Sequence, residues 1–384
     1  MLRIGDIDSD GRVFMAECKY VPLHYGETHR RFFVASGEMV MAMTGATVGK
    51  VGTYDADEPA LVNQRVCVFK VFNGLRYKFL EFILNSHGYK EHVSLTAFGG
   101  AQPNISDEGI LSYYCALPPI DEQQNIELQL GHQTARIDAL MEKKTRFIEL
   151  LREKRQALIT HAVTKGLDLN VKMKDSGVEW LGEVPEHWDV LSFQRCVFIA
   201  EGQVDPEKSP YLEMLLLAPN HIESASGRLL YTETAEEQNA ESGKYLCQKG
   251  DVVYSKIRPA LRKVCIAPEV GLCSADMYPL RGHSGMSNQF LFWFLLSEPF
   301  SALAVLEADR VAMPKINRES LNSVQLPRPP FSEQVVIAAS LELETARLDN
   351  LRSKTERSIA LLKERRSALI TAAVTGQIDL RGGV

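Results

Sequence analysis

Two long segments of the chain carry hydrophobic residues at helical spacing, and the second segment repeats the first. Shifting the sequence by 211 positions aligns 118–169 with 329–380 without a gap, and 27 of the 52 aligned positions are identical. A repeat of this length indicates two copies of one structural unit. Within each copy the apolar residues follow one another in steps of three, four, seven or eleven and form a narrow stripe, as in a coiled-coil seam. The stripe consists of Ile137, Met141, Ile148, Leu151 and Leu158 in the first copy and of Leu348, Ile359, Leu362 and Leu369 in the second.

Each copy is predicted to be one long helix. Pro118 and Pro119 exclude a helix before Ile120, and Asp121 is placed to cap the helix that follows. About 40 helical residues, at about 1.5 Å each, give a rod of about 60 Å. A helix with so narrow an apolar stripe needs a partner, and we expect the two copies to pair as an antiparallel coiled coil. The alternative is an amphipathic helix lying on its own domain.

A mixed module precedes each helix. In the first module, 31–35, 38–42 and 65–71 are short Val- and Phe-rich runs that predict strands, and 77–86 predicts a packed helix. The second module matches the first only faintly, at Lys249–Val253 with Ser36–Val40 and at Ala312–Asn317 with Ala101–Ser106. The predicted fold is therefore α+β, with two mixed α/β modules separated by two long helices. The predicted boundaries are 1–117 for the first module, 118–174 for the first helix and its linker, 175–325 for the second module and 326–384 for the second helix.

Composition narrows the class of protein. The 384 residues are 45% hydrophobic and carry a net charge of −6, with no secretory signal and no apolar run long enough to cross a bilayer. The seven cysteines, Cys18 among them, form no CxxC pair, which is typical of a reducing cytoplasm. The second module has a net charge of −8, whereas each helical segment has one of +2. Any contact with DNA must therefore come from local basic patches.

Familiar catalytic sequences are not found. Gly45–Lys50 has three residues between its glycines where a phosphate loop has four, and it predicts an ordinary glycine turn. Leu117 and Arg328 stand where the adenine methyltransferase signature needs Asn or Asp before its two prolines. No Asp…Glu-x-Lys nuclease arrangement is evident either. The chain is predicted to be non-catalytic, with no metal site.

Candidate DNA contacts lie in both modules. The segment 255–263 packs four cations into nine residues between two strand-like runs, where they could neutralise phosphates or reach a guanine. The matching stretch of the first module is nearly neutral, so polar residues beside it are the better candidates. For each residue the alternative is a solvated surface side chain. The candidates are Lys256, Arg258, Arg262, Lys263, Lys50, Asn63, Gln64, Arg65, Gln102, Asn104, Lys315 and Asn317.

Taken together, these motifs resemble the specificity subunit of type I restriction–modification systems. The resemblance rests on the TxRIDxL and TxRLDxL segments at 134–140 and 345–351, the ALIT-x-AVT endings, and the linker DSGVEWLGEVPEHW at 175–188. It implies two target-recognition domains that each read half of a bipartite sequence in double-stranded DNA. It also implies docking of methyltransferase subunits and of a restriction–translocase subunit. S-adenosylmethionine, ATP and Mg²⁺ would then belong to those partners and no cofactor to this chain.

The first module departs from the family in one respect. Trp188 in the opening of the second module, carried back by about 212 positions, would fall some 24 positions before Met1. We therefore expect the first recognition domain to be N-terminally truncated, or its start to be misplaced. The alternative function is a truncated or degenerate copy that acts only as a methyltransferase-binding scaffold or as a silent recombination cassette.

Overall fold

The structure is a computed structural model that describes residues 1–8, 11–15, 19–22, 24–308 and 314–379. Cys18, Ala312 and Met313 of the sequence patterns above lie outside these residues. The chain divides into two compact units. Unit 1 comprises Met1–Arg146 with Thr355–Val384, and unit 2 comprises Phe147–Lys354. Each unit therefore holds one module together with part of each long helix.

The two repeated segments form the longest helices of the chain. The first begins at Ile120 and ends at Lys165, and the second runs over Phe331–Val374, which confirms the predicted helices. Asp121 lies inside the first turn rather than capping it, because the helix begins at Ile120, two residues earlier than a cap at Asp121 would require. The helices are α1 (His24–Thr28), α2 (Tyr77–Asn85), α3 (His87–Thr96), α4 (Asp107–Leu111), α5 (Ile120–Lys165), α6 (Asn288–Leu296), α7 (Glu298–Ala308), α8 (Arg318–Ser323) and α9 (Phe331–Val374).

The module of unit 1 is built on a small antiparallel sheet. Its strands are β1 (Phe33–Val34), β2 (Met39–Ala42), β3 (Val51–Thr53), β4 (Ala60–Leu61) and β5 (Val66–Phe69). β2 lies between β3 and β5, and β1 pairs with β4. Strands β1, β2 and β5 fall in the three runs where strands are predicted. Met39 and Met41 of β2 face a core formed with Leu80, Leu84 and helix α3, while Val40 faces a second core.

The module of unit 2 has two larger sheets. Strands β14, β13, β16 and β9 form one, and β10, β12, β15 and β11 form the other. Helix α6 closes the core with residues such as Phe290 and Phe294, both at most 1% exposed. The strands are β6 (Met173–Asp175), β7 (Glu183–Pro185), β8 (Asp189–Ser192), β9 (Val197–Ile199), β10 (Gln203–Val204), β11 (Leu216–Leu217), β12 (Lys244–Cys247), β13 (Val252–Ser255), β14 (Val264–Ile266), β15 (Gly271–Cys273), β16 (Met277–Gly282) and β17 (Gln325–Arg328).

A buried glutamine fastens each module to the start of the helix that follows it. Gln123 accepts a hydrogen bond from the Arg76 backbone N–H at 3.0 Å and donates to the carbonyls of Gly74 and Pro118. Its repeat, Gln334, accepts from Ser287 at 2.8 Å and donates to Gly285 and Pro329. Both glutamines are fully buried. The glutamine therefore ties a proline turn, a glycine turn and the N-terminus of α2 or α6 together.

The C-terminal end of each long helix packs against the module that precedes the other long helix. In unit 1, Thr371 of α9 accepts a hydrogen bond from the His87 backbone N–H at 2.9 Å. In unit 2, Thr160 of α5 accepts one from Glu298 at 3.4 Å. These threonines are the T of the two ALIT segments. Each module is thus held by the beginning of one helix and the end of the other, so the alternative of a helix lying on its own domain describes only half of each helix.

The two long helices also contact each other within each unit. In unit 1, Arg366 forms a two-point ion pair with Asp138 at 2.8 and 3.2 Å. In unit 2, the repeated residues Arg155 and Asp349 are 3.3 Å apart. Apolar contacts extend these pairs, from Ile126 and Leu130 to the C-terminal turns of α9 in unit 1, and from Ile159 and Val163 to the N-terminal turns of α9 in unit 2.

The predicted seam residues are at least partly buried. Ile137, Ile148 and Leu151 are less than 9% exposed. Met141, Leu158, Leu348, Ile359, Leu362 and Leu369 are half-buried.

No single helix among the described residues is both long and apolar enough to cross a membrane. Helices α6 and α7 reach that length and composition only as a pair, and the pair is bent by 67°. The apolar run 290–296, whose residues would fit either a buried helix or a buried strand, lies in helix α6 and is mostly buried.

Candidate nucleic-acid interface

Two equivalent turns, together with the proline loops that pair with them, carry most of the predicted DNA contacts. The β2–β3 turn (residues 43–50) lies in unit 1 and the β13–β14 turn (residues 256–263) in unit 2. In the first, Gly45 donates a backbone hydrogen bond to Pro103 at 2.8 Å; in the second, Arg258 donates one to Pro314 at 3.1 Å. Isolated bridges join Thr44 to Asn104 and Ile257 to Lys315 in the same way. Each turn is therefore paired with the proline loop of its own module.

This pairing brings the predicted residues of unit 2 together. Lys256 follows directly after β13, and its ammonium group lies 5.0 Å from the centre of the Tyr278 ring. Arg258 and Lys315 are exposed on the two sides of the pairing. Asn317 caps helix α8 by accepting a hydrogen bond from Ser320 at 2.7 Å. The cap gives Asn317 a structural role, and its predicted contact with DNA stays a prediction.

The other two cations of the β13–β14 turn bond to the protein. The Arg262 guanidinium donates to the side-chain oxygen of Gln156 at 2.6 Å. The Lys263 ammonium group donates to the Pro219 carbonyl at 2.5 Å. Both side chains are half-buried. The four cations of this segment therefore differ in role. The side chains of Arg262 and Lys263 hydrogen-bond to the protein, whereas the structure shows no such bond to a described residue for the side chain of Lys256 or Arg258.

The predicted residues of unit 1 lie around the β2–β3 turn. The carbonyl of Arg65 accepts a hydrogen bond from Met43 at 2.9 Å, which places the exposed Gln64 and Arg65 beside the turn. The Asn63 side chain accepts from the Arg65 backbone at 3.0 Å. Lys50, like its counterpart Lys263, is anchored to a carbonyl, that of Ile7 at 2.9 Å.

The proline loop of unit 1 completes this surface. Phe98 and Asn104 exchange two backbone hydrogen bonds of 2.9 and 2.8 Å, which closes 98–104 into a tight hairpin. Gln102 is exposed on that hairpin and Asn104 is half-buried at its base. Phe98 is 59% exposed beside them. Unit 1 therefore presents polar and aromatic groups where unit 2 presents cations.

The structure adds two residues that the sequence patterns do not single out. Tyr278 carries Lys256 on its ring and has Arg318 5.5 Å from the ring centre. Burial raises the pKa of Tyr278, and the charge of Arg318 opposes that shift. Arg318 donates to the carbonyls of Ile199 and Ala200 at 2.8 and 2.9 Å. Arg318 could have been found in the sequence, because it directly follows the candidate Asn317. Nothing in the sequence links Arg318 to Tyr278.

Among the described residues, no three His, Cys, Asp or Glu side chains come together as a metal ion would require. Burial disfavours the thiolate form of the buried cysteines, since it raises the pKa of Cys265 to about 12 and that of Cys247 to about 11. The β13–β14 turn offers positive charge, and the surface around the β2–β3 turn offers hydrogen-bonding groups; both suit recognition of an anionic polymer.

Comparisons with known proteins agree with this arrangement. A family model described as the type I restriction modification DNA specificity domain matches residues 25–149. The EcoDI type I restriction enzyme specificity subunit of Escherichia coli is 28% identical over 319 residues, which are 79% of this chain and 70% of the relative. This chain is similar to type I restriction enzyme specificity subunits. The predicted resemblance is thereby confirmed.

Two solved structures share the fold. One chain, from a study of complex assembly and conformational transition of the type I R-M system, matches with a TM-score of 0.76 and 16% identity. The match covers 98% of this chain and 91% of that one. The HsdS subunit of Thermoanaerobacter tengcongensis matches with a TM-score of 0.54 and 16% identity over 98% and 90% of the two chains. At this identity the likeness is one of fold, and it supports the predicted mixture of helices and sheets.

Proposed function

We propose that this chain is the specificity subunit of a type I restriction–modification complex and that its two modules each read one half of a bipartite DNA site. One observation carries the proposal. The same turn, paired with the same proline loop, recurs in both units, whereas the residues that it presents differ. A shared scaffold with divergent surface residues is what two readers of unlike half-sites require.

The long helices supply the spacing between the readers. We propose that they pair as an antiparallel coiled coil. The cross-helix pairs Asp138–Arg366 and Arg155–Asp349 support this, because repeated residues exchange partners as an antiparallel pairing demands. Holding two weak readers on one scaffold gives tight binding, since the second half-site is met at high effective concentration. It also makes the gap between half-sites a geometric constant.

The catalytic groups are proposed to reside on other subunits. Methyltransferase subunits would dock on this chain and use S-adenosylmethionine, and a restriction–translocase subunit would supply ATP- and Mg²⁺-dependent chemistry. The chain itself would hold no cofactor. The site of action would be the cytoplasm, where the host DNA is methylated.

A selection experiment tests the proposal. The full chain, co-expressed with its methyltransferase subunits, is incubated with a random DNA library, and the bound fraction is sequenced. Enrichment of a two-part sequence with a fixed gap is the expected result. Mutating either half of the enriched site should weaken binding by itself. A complex that assembles but enriches no sequence would refute the proposal and favour a scaffold without recognition.

A further inference from the structure

Two arginines of the β13–β14 turn adopt a backbone conformation that favours glycine. Arg258 has φ of 47° and Arg262 has φ of 46°. The equivalent positions of the β2–β3 turn are Gly45 and Gly49, with φ of 73° and 80°. The left-handed conformation costs an L-residue other than glycine about 1–2 kcal/mol. Residues with such strain cluster at functional sites, although Ala225, Asn239 and Ser284 of unit 2 also have positive φ. A side chain is therefore kept at two places where glycine would fit the turn better.

The surroundings of Arg258 leave its guanidinium free to bind. Its backbone is held by the hydrogen bond to Pro314, while the side chain is exposed and bonds to no residue that the structure describes. Lys256, two residues earlier, and Lys315, paired with Ile257, add positive charge at the same edge. These cations stand out because 175–325 carries a net charge of −8. An acidic module that concentrates cations around one strained turn is suited to bind an anion there.

Arg262 has a different environment. Its guanidinium donates to Gln156 of α5, and its carbonyl accepts a hydrogen bond from Ala225 at 3.3 Å. The side chain thus spans from the turn to the long helix within unit 2. Gly49 has no side chain to make such a link. Arg262 is therefore placed to fix the orientation of the turn that carries Arg258.

We propose that Arg258 contacts a DNA phosphate, with Lys256 and Lys315 beside it, and that Arg262 is a positioning residue for this contact. The proposal rests on the proposed DNA recognition. The β2–β3 turn, with glycine at both places, makes no such contact, so the two half-sites are bound by different interactions. Binding of the half-site read by unit 2 depends on salt more steeply than binding of the other.

The test compares Arg258→Gly with wild-type complex on the enriched bipartite DNA and on variants of each half. Glycine suits the left-handed turn, so the melting temperature should stay level or rise. Affinity should fall on the order of tenfold, as for loss of one charge-assisted bond. The fall should be equal for all half-site sequences, and the slope of log K against log salt should lessen by about 1. Arg195→Ala is the control, because Arg195 is an exposed arginine of unit 2 outside the turn.

The outcomes separate the claims. If wild-type complex shows no sequence selectivity, the proposed function itself fails. If wild-type is selective but Arg258→Gly keeps its affinity and slope, or Arg195→Ala changes both equally, only the present inference is overturned. A loss confined to one base pair with an unchanged slope would mean that Arg258 reads a base, which contradicts the phosphate contact.

Arg262 is tested by removing either partner of its hydrogen bond. Arg262→Gly and Gln156→Ala should each weaken DNA binding and lessen the salt slope, although neither residue is expected to touch DNA. Because Arg262 and Gln156 act through one hydrogen bond, the double variant should bind DNA as well as whichever single variant has the lower affinity. Additive losses, or an unchanged slope in both single variants, would remove Arg262 from the positioning role.

Discussion

Replacing the buried glutamine at the start of α9 should uncouple the second module from its helix. Gln334 makes three hydrogen bonds of 2.8 Å, one accepted from Ser287 and two donated to Gly285 and Pro329. Gln334→Met keeps the length and volume of the side chain but removes all three bonds. The main-chain groups left behind stay out of water, because the site is fully buried.

The expected cost follows from these bonds. A hydrogen bond between neutral groups contributes about 1 kcal/mol net, and leaving a buried partner unsatisfied raises that cost. Three bonds therefore predict a loss of about 3–5 kcal/mol, a large part of the stability of a typical domain. Urea unfolding of the purified chain, followed by tryptophan fluorescence, measures it. All three tryptophans, Trp180, Trp188 and Trp293, lie in unit 2 and report on the affected unit.

The control is Gln203→Met, at an exposed position of β10 in the same unit. It should change the free energy of unfolding by less than about 0.5 kcal/mol. Gln123→Met makes the same change in unit 1, and we expect it to leave the tryptophan-reported transition largely in place. A Gln334→Met protein as stable as the control would refute the reasoning, because it would mean that the module does not depend on this anchor.

Two further predictions concern other parts of the chain. Arg155→Ala should lower the free energy of unfolding by about 2–4 kcal/mol. The same change at the repeated residue, Arg366→Ala, should lower it by less than about 1 kcal/mol. The reason is that Arg155 is 11% exposed and also bonds to Ala225 and Ser226, whereas Arg366 is 35% exposed and bonds to Asp138. Equal losses in urea unfolding would contradict this. In brief iodoacetamide labelling at about pH 8, the exposed Cys115 should react well before Cys67 and Cys265, since burial raises the pKa of both to about 12. Mass spectrometry that finds Cys265 labelled as fast as Cys115 would show that the second module is open.

The elements of this fold could be predicted wherever the pattern was local. The helix α5 was marked by its prolines, by an apolar stripe, and by the absence of any proline or internal breaker except Gly131 up to about Val163. The strands β2 and β13 share a glycine and an acidic residue directly before them, at Gly37-Glu38 and Gly250-Asp251. The pairing of Arg155 with Asp349 could not be read in this way, because both residues look like ordinary surface charges. Only the repeat at 211 positions hints that each has a counterpart.

The candidate site was predictable in composition but not in detail. The sequence marked the cations at 256–263 as a group, whereas the structure shows that Arg262 and Lys263 are anchored to Gln156 and Pro219. The match of Arg258 with Gly45 follows from the offset of 213 positions that aligns Lys249–Val253 with Ser36–Val40, whereas the helices align at 211. The connection after the turn is two residues shorter in the second module. A hydrophobic pattern cannot show the left-handed backbone of Arg258, because arginine does not mark such a turn as glycine does.

The central claim is that the shared helices set the gap between two half-sites, and the gap itself is the most direct measurement. Inserting 22 helical residues into α5 after Arg146 and the same number into α9 after Lys354 lengthens each helix by about 33 Å, close to one turn of B-DNA. Selection from a library with a randomised gap should then return the same two half-sites, with the preferred gap longer by about ten base pairs. Unchanged half-sites at the original gap, bound with the original affinity, would contradict the account.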